Sequence, residues 1–141
     1  MNIMQYQKIV RVSALYDFIF TLPFLTPWTF LVLHKTLNTI SPVPHFDPIH
    51  ILFVNLFGSI VIVWSILRIR SPLPLYGFYD SIGRLLFSTW FFYNIVFYQA
   101  HPVLVLFAVL EVLWFIIQAY GYHKIRKNFS STPSVAINDL S

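Results

Sequence analysis

The chain has 141 residues, of which 57% are hydrophobic, 19% aromatic and only 10% charged. Soluble domains carry about 25% charged residues, so a soluble globular class is excluded, and long apolar runs replace the short alternating ones of a water-facing fold. The formal charge is +4, but the bases sit at the ends of apolar runs as membrane anchors do, which argues against nucleic acid. Cysteine is absent, so disulfides, thiolate metal sites and dithiol chemistry are excluded.

A bilayer core of ~30 Å takes ~20 apolar helical residues per crossing, and four such runs fit the chain. The predicted architecture is all-α: an integral membrane four-helix bundle in one domain, residues 1–128, with a flexible cytoplasmic tail, 129–141. The first run spans about 9–33. It contains Asp17, Pro23 and Pro27 and lacks a small-residue cleavage site, so it reads as a retained span. Its prolines permit one kinked helix, or a helix to about Leu25 followed by a short interfacial helix from Pro27 to Leu37. Thr26-Pro27 resembles an N-cap followed by proline at the first helical position, which favours the split.

Asn38 to Pro48, NTISPVPHFDP, is a predicted loop. Span 2, about 49–69, carries Asn55, Gly58, Ser59 and Ser65. Small residues at such spacing let helices approach closely in lipid. Arg70 to Gly77 is a proline-rich turn. Span 3, about 78–100, opens with Asp80 and Arg84 one turn apart and continues through Trp90 and Asn94. His101-Pro102 turns the chain into span 4, about 103–122, whose Glu111 is a lone acid in an apolar run. Such a group costs roughly 2.5–3.5 kcal/mol on insertion scales, so a partner or a purpose is expected.

Lys8, Arg11, Arg68, Arg70, Arg84, Lys124, Arg126 and Lys127 fall on one predicted side, and Lys35 on the other. The positive-inside rule then places the chain in the cell (inner) membrane with four crossings and both termini cytoplasmic. Leu15-Tyr16-Asp17-Phe18-Ile19 also resembles Phe78-Tyr79-Asp80-Ser81-Ile82, as in parallel duplicated halves.

Depth counted along the helices puts Asn55, Asn94 and Glu111 in one outer polar layer, about 9–12 Å below the surface. Asp17, Arg84 and Gln118 form an inner layer, with Arg84 the natural ion-pair partner of Asp17 or Asp80. Glu111, Trp114 and Gln118 share a stripe that should face the interior. These residues serve equally well as interhelical fasteners. No base reaches Glu111 in this count, and a carboxyl group without a cation favours its neutral form. Glu111, Asn55, Asn94, Trp114 and Gln118 are therefore the candidate ligand or proton site, and Asp17, Asp80 and Arg84 a structural ion pair.

His45, Asp47 and His50 offer imidazole and carboxylate ligands, but their spacing matches no metal motif, and neither a metal nor a cofactor is expected. Trp28, Tyr76 and Tyr79 suit the interfacial aromatic belt. Trp64, Trp90 and Trp114 lie deeper, as packing residues or as walls of a hydrophobic pocket.

The length, the four-span order, the segment Asn55-Leu56-Phe57-Gly58-Ser59-Ile60-Val61 and the short proline-rich loop resemble small four-span proteins of the DoxX/BphX-like sort. The resemblance implies an all-helical membrane bundle; some relatives serve as membrane subunits near quinone or sulfur redox enzymes. It supplies no catalytic signature to carry over. The expected function is non-enzymatic: an accessory subunit or small hydrophobic-ligand binder. Its partners would be the bilayer and either further copies or a larger membrane complex. The alternatives are a dimeric proton-coupled transporter using Glu111, or a membrane enzyme acting on a lipid- or quinone-like substrate.

Overall fold

A computed structural model of the protein describes residues 1–40, 42–101 and 103–130. Among the described residues the fold is all-helical: α1 (Ile3–Thr21), a 3₁₀ turn (Leu22–Phe24), α2 (Pro27–Ile40), α3 (Pro48–Arg70), α4 (Pro74–Tyr98) and α5 (Val103–Ser130).

Local chemistry sets these boundaries. Asn2 and Gln5 close a reciprocal capping box at the start of α1, each side chain accepting from the other's backbone N–H. Pro23 cannot donate, so the helix tightens into the 3₁₀ turn and stops. Thr26 and Thr29 cap α2 in the same reciprocal way, with Pro27 at its first position. The break is sharp: the segment Ile3–Phe24 and α2 meet at 91°. Span 1 is thus split near Pro27, and residues 27–33 of the expected span belong to α2.

Proline also opens α3 and α4, where its missing N–H costs nothing. The expected turn over 70–77 is correspondingly shorter, and α4 starts one turn earlier than the sequence suggests. Gln99 ends α4 in the left-handed region, at φ 48°. α5 runs on past Tyr122 to Ser130. Of the expected tail 129–141, the first two residues are therefore helical and the rest lie outside the described residues.

α1 packs along α3, and α4 along α5; α1 also touches α4 and α5 and so joins the two pairs. Aromatic pairs bridge α3 to α4, Phe57 with Phe87 and Trp64 with Tyr76. A small apolar core of Tyr6, Val10 and Ile125 closes the end where the chain begins. Gly77 and Gly121 make room there: a β-carbon on either would stand within 2.8 Å of Tyr6.

Among the described residues two stretches, Pro48–Arg70 and Val103–Lys127, are long and apolar enough to cross a membrane, and the bent pair Ile3–Phe24 and Pro27–Ile40 makes a third if it counts as one span. α4 is not among them.

Candidate functional site

Each long helix carries one inward stripe of small or polar side chains at helical spacing. On α1 it runs Tyr6, Val10, Ser13; on α3 Gly58, Ile62, Ser65, Arg68; on α4 Gly77, Asp80, Ser81, Arg84, Ser88. On α5 it includes Ala108, Gln118 and Ile125. Where the four stripes meet, five charged side chains form one continuous network.

Asp80 is its hub. One carboxylate oxygen, Oδ2, lies 2.6 Å from Arg68 Nη1 and 3.0 Å from Arg84 Nε. The same oxygen accepts from Gln118 Nε2 at 2.9 Å, and Oδ1 accepts from Trp64 Nε1 at 3.0 Å. Asp17 Oδ2 accepts from Arg68 Nη2 at 2.5 Å and from Arg84 Nη2 at 2.7 Å. Arg84 Nη1 donates to Glu111 Oε2 at 3.0 Å. Gln118 Nε2 also donates to Ser13 Oγ at 2.6 Å.

Burial makes these contacts matter. The Arg68 side chain is 0% exposed, Arg84 3%, Asp80 8%, Asp17 12% and Glu111 13%. Charges this far from water persist only when paired. Aromatic faces add to the pairing. The Arg84 guanidinium lies 5.9 Å from the Tyr16 ring and 5.6 Å from that of Trp114, and Arg68 lies 5.5 Å from the Trp64 ring.

The structure therefore joins Asp17, Asp80 and Arg84, and brings Glu111, Trp114 and Gln118 to the same place. It does not form the expected outer layer. Asn55 donates instead to the Phe24 carbonyl at 2.9 Å, tying α3 to the break after α1. Asn94 is exposed and bonds its own helix at Trp90 O. Glu111 has a base after all. The depth count placed backbone atoms, whereas arginine carries its charge at the end of a long stem.

Arg68, Trp64 and Ser13 belong to the network and were not expected there. Arg68 reads as a flanking anchor from its place near the end of α3, yet it is wholly interior. The signal was the spacing of Gly58, Ile62, Ser65 and Arg68 on one stripe. Trp90, expected as a packing residue or pocket wall, is 60% exposed on the outside of α4. The two Tyr-Asp turns place both carboxylates on the same arginines, but Tyr16 packs on Trp114 while Tyr79 is exposed, so the likeness ends at the aspartates.

At the far end, Asp47 precedes α3 and its N–H donates to His50 Nδ1 at 3.2 Å. His45 and His50 lie 3.9 and 3.8 Å from its carboxylate oxygens. Among the described residues no group of three His, Cys, Asp or Glu side chains is arranged to hold a metal ion. Compared with protein-family models, curated proteins and solved structures, the chain matches none of them.

Proposed function

We propose that the chain is a four-span integral membrane protein of non-enzymatic type, an accessory subunit or small hydrophobic-ligand binder built around the buried charge network. The observation that carries this reading is the placement of charge on α4. Asp80 and Arg84 are turned onto the other helices, while Leu86, Trp90, Val96 and Phe97 are exposed on its outer surface. Mean hydropathy counts the two charges in full, but paired side chains inside a bundle do not meet lipid. On that ground α4 is a crossing, with α1, α3 and α5 the other three.

Arg68 and Arg84 are interior and drop out of the orientation argument. The exposed bases Lys8, Arg11, Arg70, Lys124 and Lys127 still fall on one side against Lys35 on the other, which favours cytoplasmic termini. With α1 crossing, the right-angled α2 lies in the outer interface, and its exposed Trp28 and Val32 suit that position.

Both aspartates are held by two guanidiniums each, so neither is free as a general base. This favours binding over chemistry. A shallow apolar groove lined by Ser59, Ile60, Val63 and Leu67 runs along α3 beside Trp64, whose indole N–H is bonded to Asp80. Such a protein would sit among small four-span bundles of the DoxX/BphX-like sort.

The test is topological and biochemical together. Reporter fusions at Met1 and after Lys127 are expected on the cytoplasmic side, with a fusion between α4 and α5 outside. The two ends on opposite sides would remove the four-span reading. Co-purification with a larger membrane partner supports the accessory role, and saturable quenching of tryptophan fluorescence by a hydrophobic probe supports the binder. One specific observation favours transport as a second reading: among the described residues the network holds three acids and two bases.

A further inference from the structure

The charge count of the network does not close. Asp17, Asp80 and Glu111 face Arg68 and Arg84. Away from water, an unpaired carboxylate is neutralised most cheaply by a proton. The surplus falls on Glu111. Each aspartate touches both arginines, whereas Glu111 touches Arg84 alone among the described residues. The other titratable groups turned toward this point are Asp17 and Tyr16 from α1 and Asp80 from α4, with Arg68 of α3 behind the aspartates.

A second observation is independent of the charges. Gln118 is fully buried, and its Nε2 is committed to Ser13 and Asp80, but its Oε1 has no hydrogen-bond partner among the described residues. The assignment of the amide is set by Asp80, which needs a donor. Arg68 Nε, Ser65 Oγ and the Tyr6 hydroxyl are likewise buried without a hydrogen-bond partner among the described residues. Buried polar atoms are nearly always satisfied by protein or by ordered water. These four come from α1, α3 and α5: Gln118 and Arg68 bond Asp80, Ser65 lies one turn before Arg68 on α3, and Tyr6 stands in the core at the end where the chain begins. The Tyr6 hydroxyl lies 2.6 Å from where a β-carbon of Gly77 would stand, one turn before Asp80.

We propose that the network is an exchangeable proton site: the Glu111 carboxylate takes up one proton from water, and the Gln118, Arg68, Ser65 and Tyr6 groups hold the water that carries it to and from the α1 end of the bundle. Uptake forms one O–H bond on Glu111 and leaves the five charged groups with a net charge of zero. Release returns the proton to water and restores the single negative charge. The proposal rests on the reading of the bundle as a lipid-embedded one.

The experiment is an infrared pH titration of the full chain in detergent micelles. The carbonyl band of a protonated carboxylic acid is expected above the pH where exposed carboxyl groups titrate. Its size should correspond to one group per chain. Glu111→Gln should lose the band while keeping its helical circular dichroism, and Glu111→Asp should keep it at a shifted frequency. Tyr6→Phe should keep it with slower exchange into deuterated water. An unchanged band in Glu111→Gln, or no such band in the folded wild type, would overturn the site. An unchanged exchange rate in Tyr6→Phe would overturn the route. Micelle titration does not depend on the number of crossings, so its failure is separable from that of the four-span reading, which the fusions report.

Discussion

Arg68 of α3 and Arg84 of α4 hold the same two aspartates, with both guanidiniums converging on Asp17 Oδ2 and on Asp80 Oδ2. Two like charges are thereby packed into one interior, and neither can leave without uncovering acids. Removing one partner of a buried ion pair costs about 3–5 kcal/mol, because the other charge stays buried and uncompensated. Arg68→Met keeps most of the apolar stem and should lower stability by that amount. Arg70→Met, two residues on and exposed, should stay within about 0.5 kcal/mol. Thermal unfolding in micelles, followed by circular dichroism, compares them. Equal melting temperatures would show that the network does not hold the bundle together.

The acids should rank by their partners. Asp80 receives two guanidiniums, an indole N–H and an amide N–H, whereas Glu111 receives one guanidinium. Asp80→Asn should therefore cost about 3–5 kcal/mol. Glu111→Gln leaves both Arg68 and Arg84 with an acid and removes the surplus charge, so its cost should stay below about 1 kcal/mol. The same unfolding measurement ranks the two, and the reverse order would contradict the hub role of Asp80.

Gly58 is pressed against backbone. A β-carbon there would lie 2.5 Å from the Phe24 carbonyl oxygen, which is also the acceptor for Asn55. A carbonyl cannot swing aside as a side chain can, so Gly58→Ala should cost about 1–3 kcal/mol and loosen the junction between α1 and α2. Gly83 meets nothing within 4 Å, so Gly83→Ala should be neutral or should gain up to about 1 kcal/mol of helix propensity. Proteolytic sensitivity near Pro27 would rise in the first variant and not in the second.

Much of this was legible in the residues themselves. Helical spacing on α4 brought Asp80 and Arg84 to one face, the reach to Asp17 followed from depth, and Thr26-Pro27 marked the break. What stayed hidden depended on side-chain length and on which helices pair. Arg68 looks like an anchor because it is near a helix end, and only the packing of α3 along α1 turns it inward onto Asp17. Glu111 looked isolated because its depth was counted at the backbone, while Arg84 extends a long stem toward it. Asn55 is spent on the Phe24 carbonyl and Asn94 on its own helix at Trp90 O, so equal counted depth produced no layer.

Trp64 offers a direct test of the network. Its Nε1 donates to Asp80 Oδ1 at 3.0 Å, its ring lies near the Arg68 guanidinium, and it also lines the groove on α3. Phenylalanine keeps a ring in that place and removes the N–H. A hydrogen bond to a charged group is worth about 1.5–3 kcal/mol, so Trp64→Phe should cost that much. Trp90→Phe, on the exposed side of α4, should cost less than about 0.5 kcal/mol. Combined with Asp80→Asn, the Trp64→Phe loss should shrink, because the acceptor's charge is already gone. Residues in one network couple by about 0.5–3 kcal/mol, so a fully additive pair would place the indole's contribution in packing rather than in its bond to Asp80.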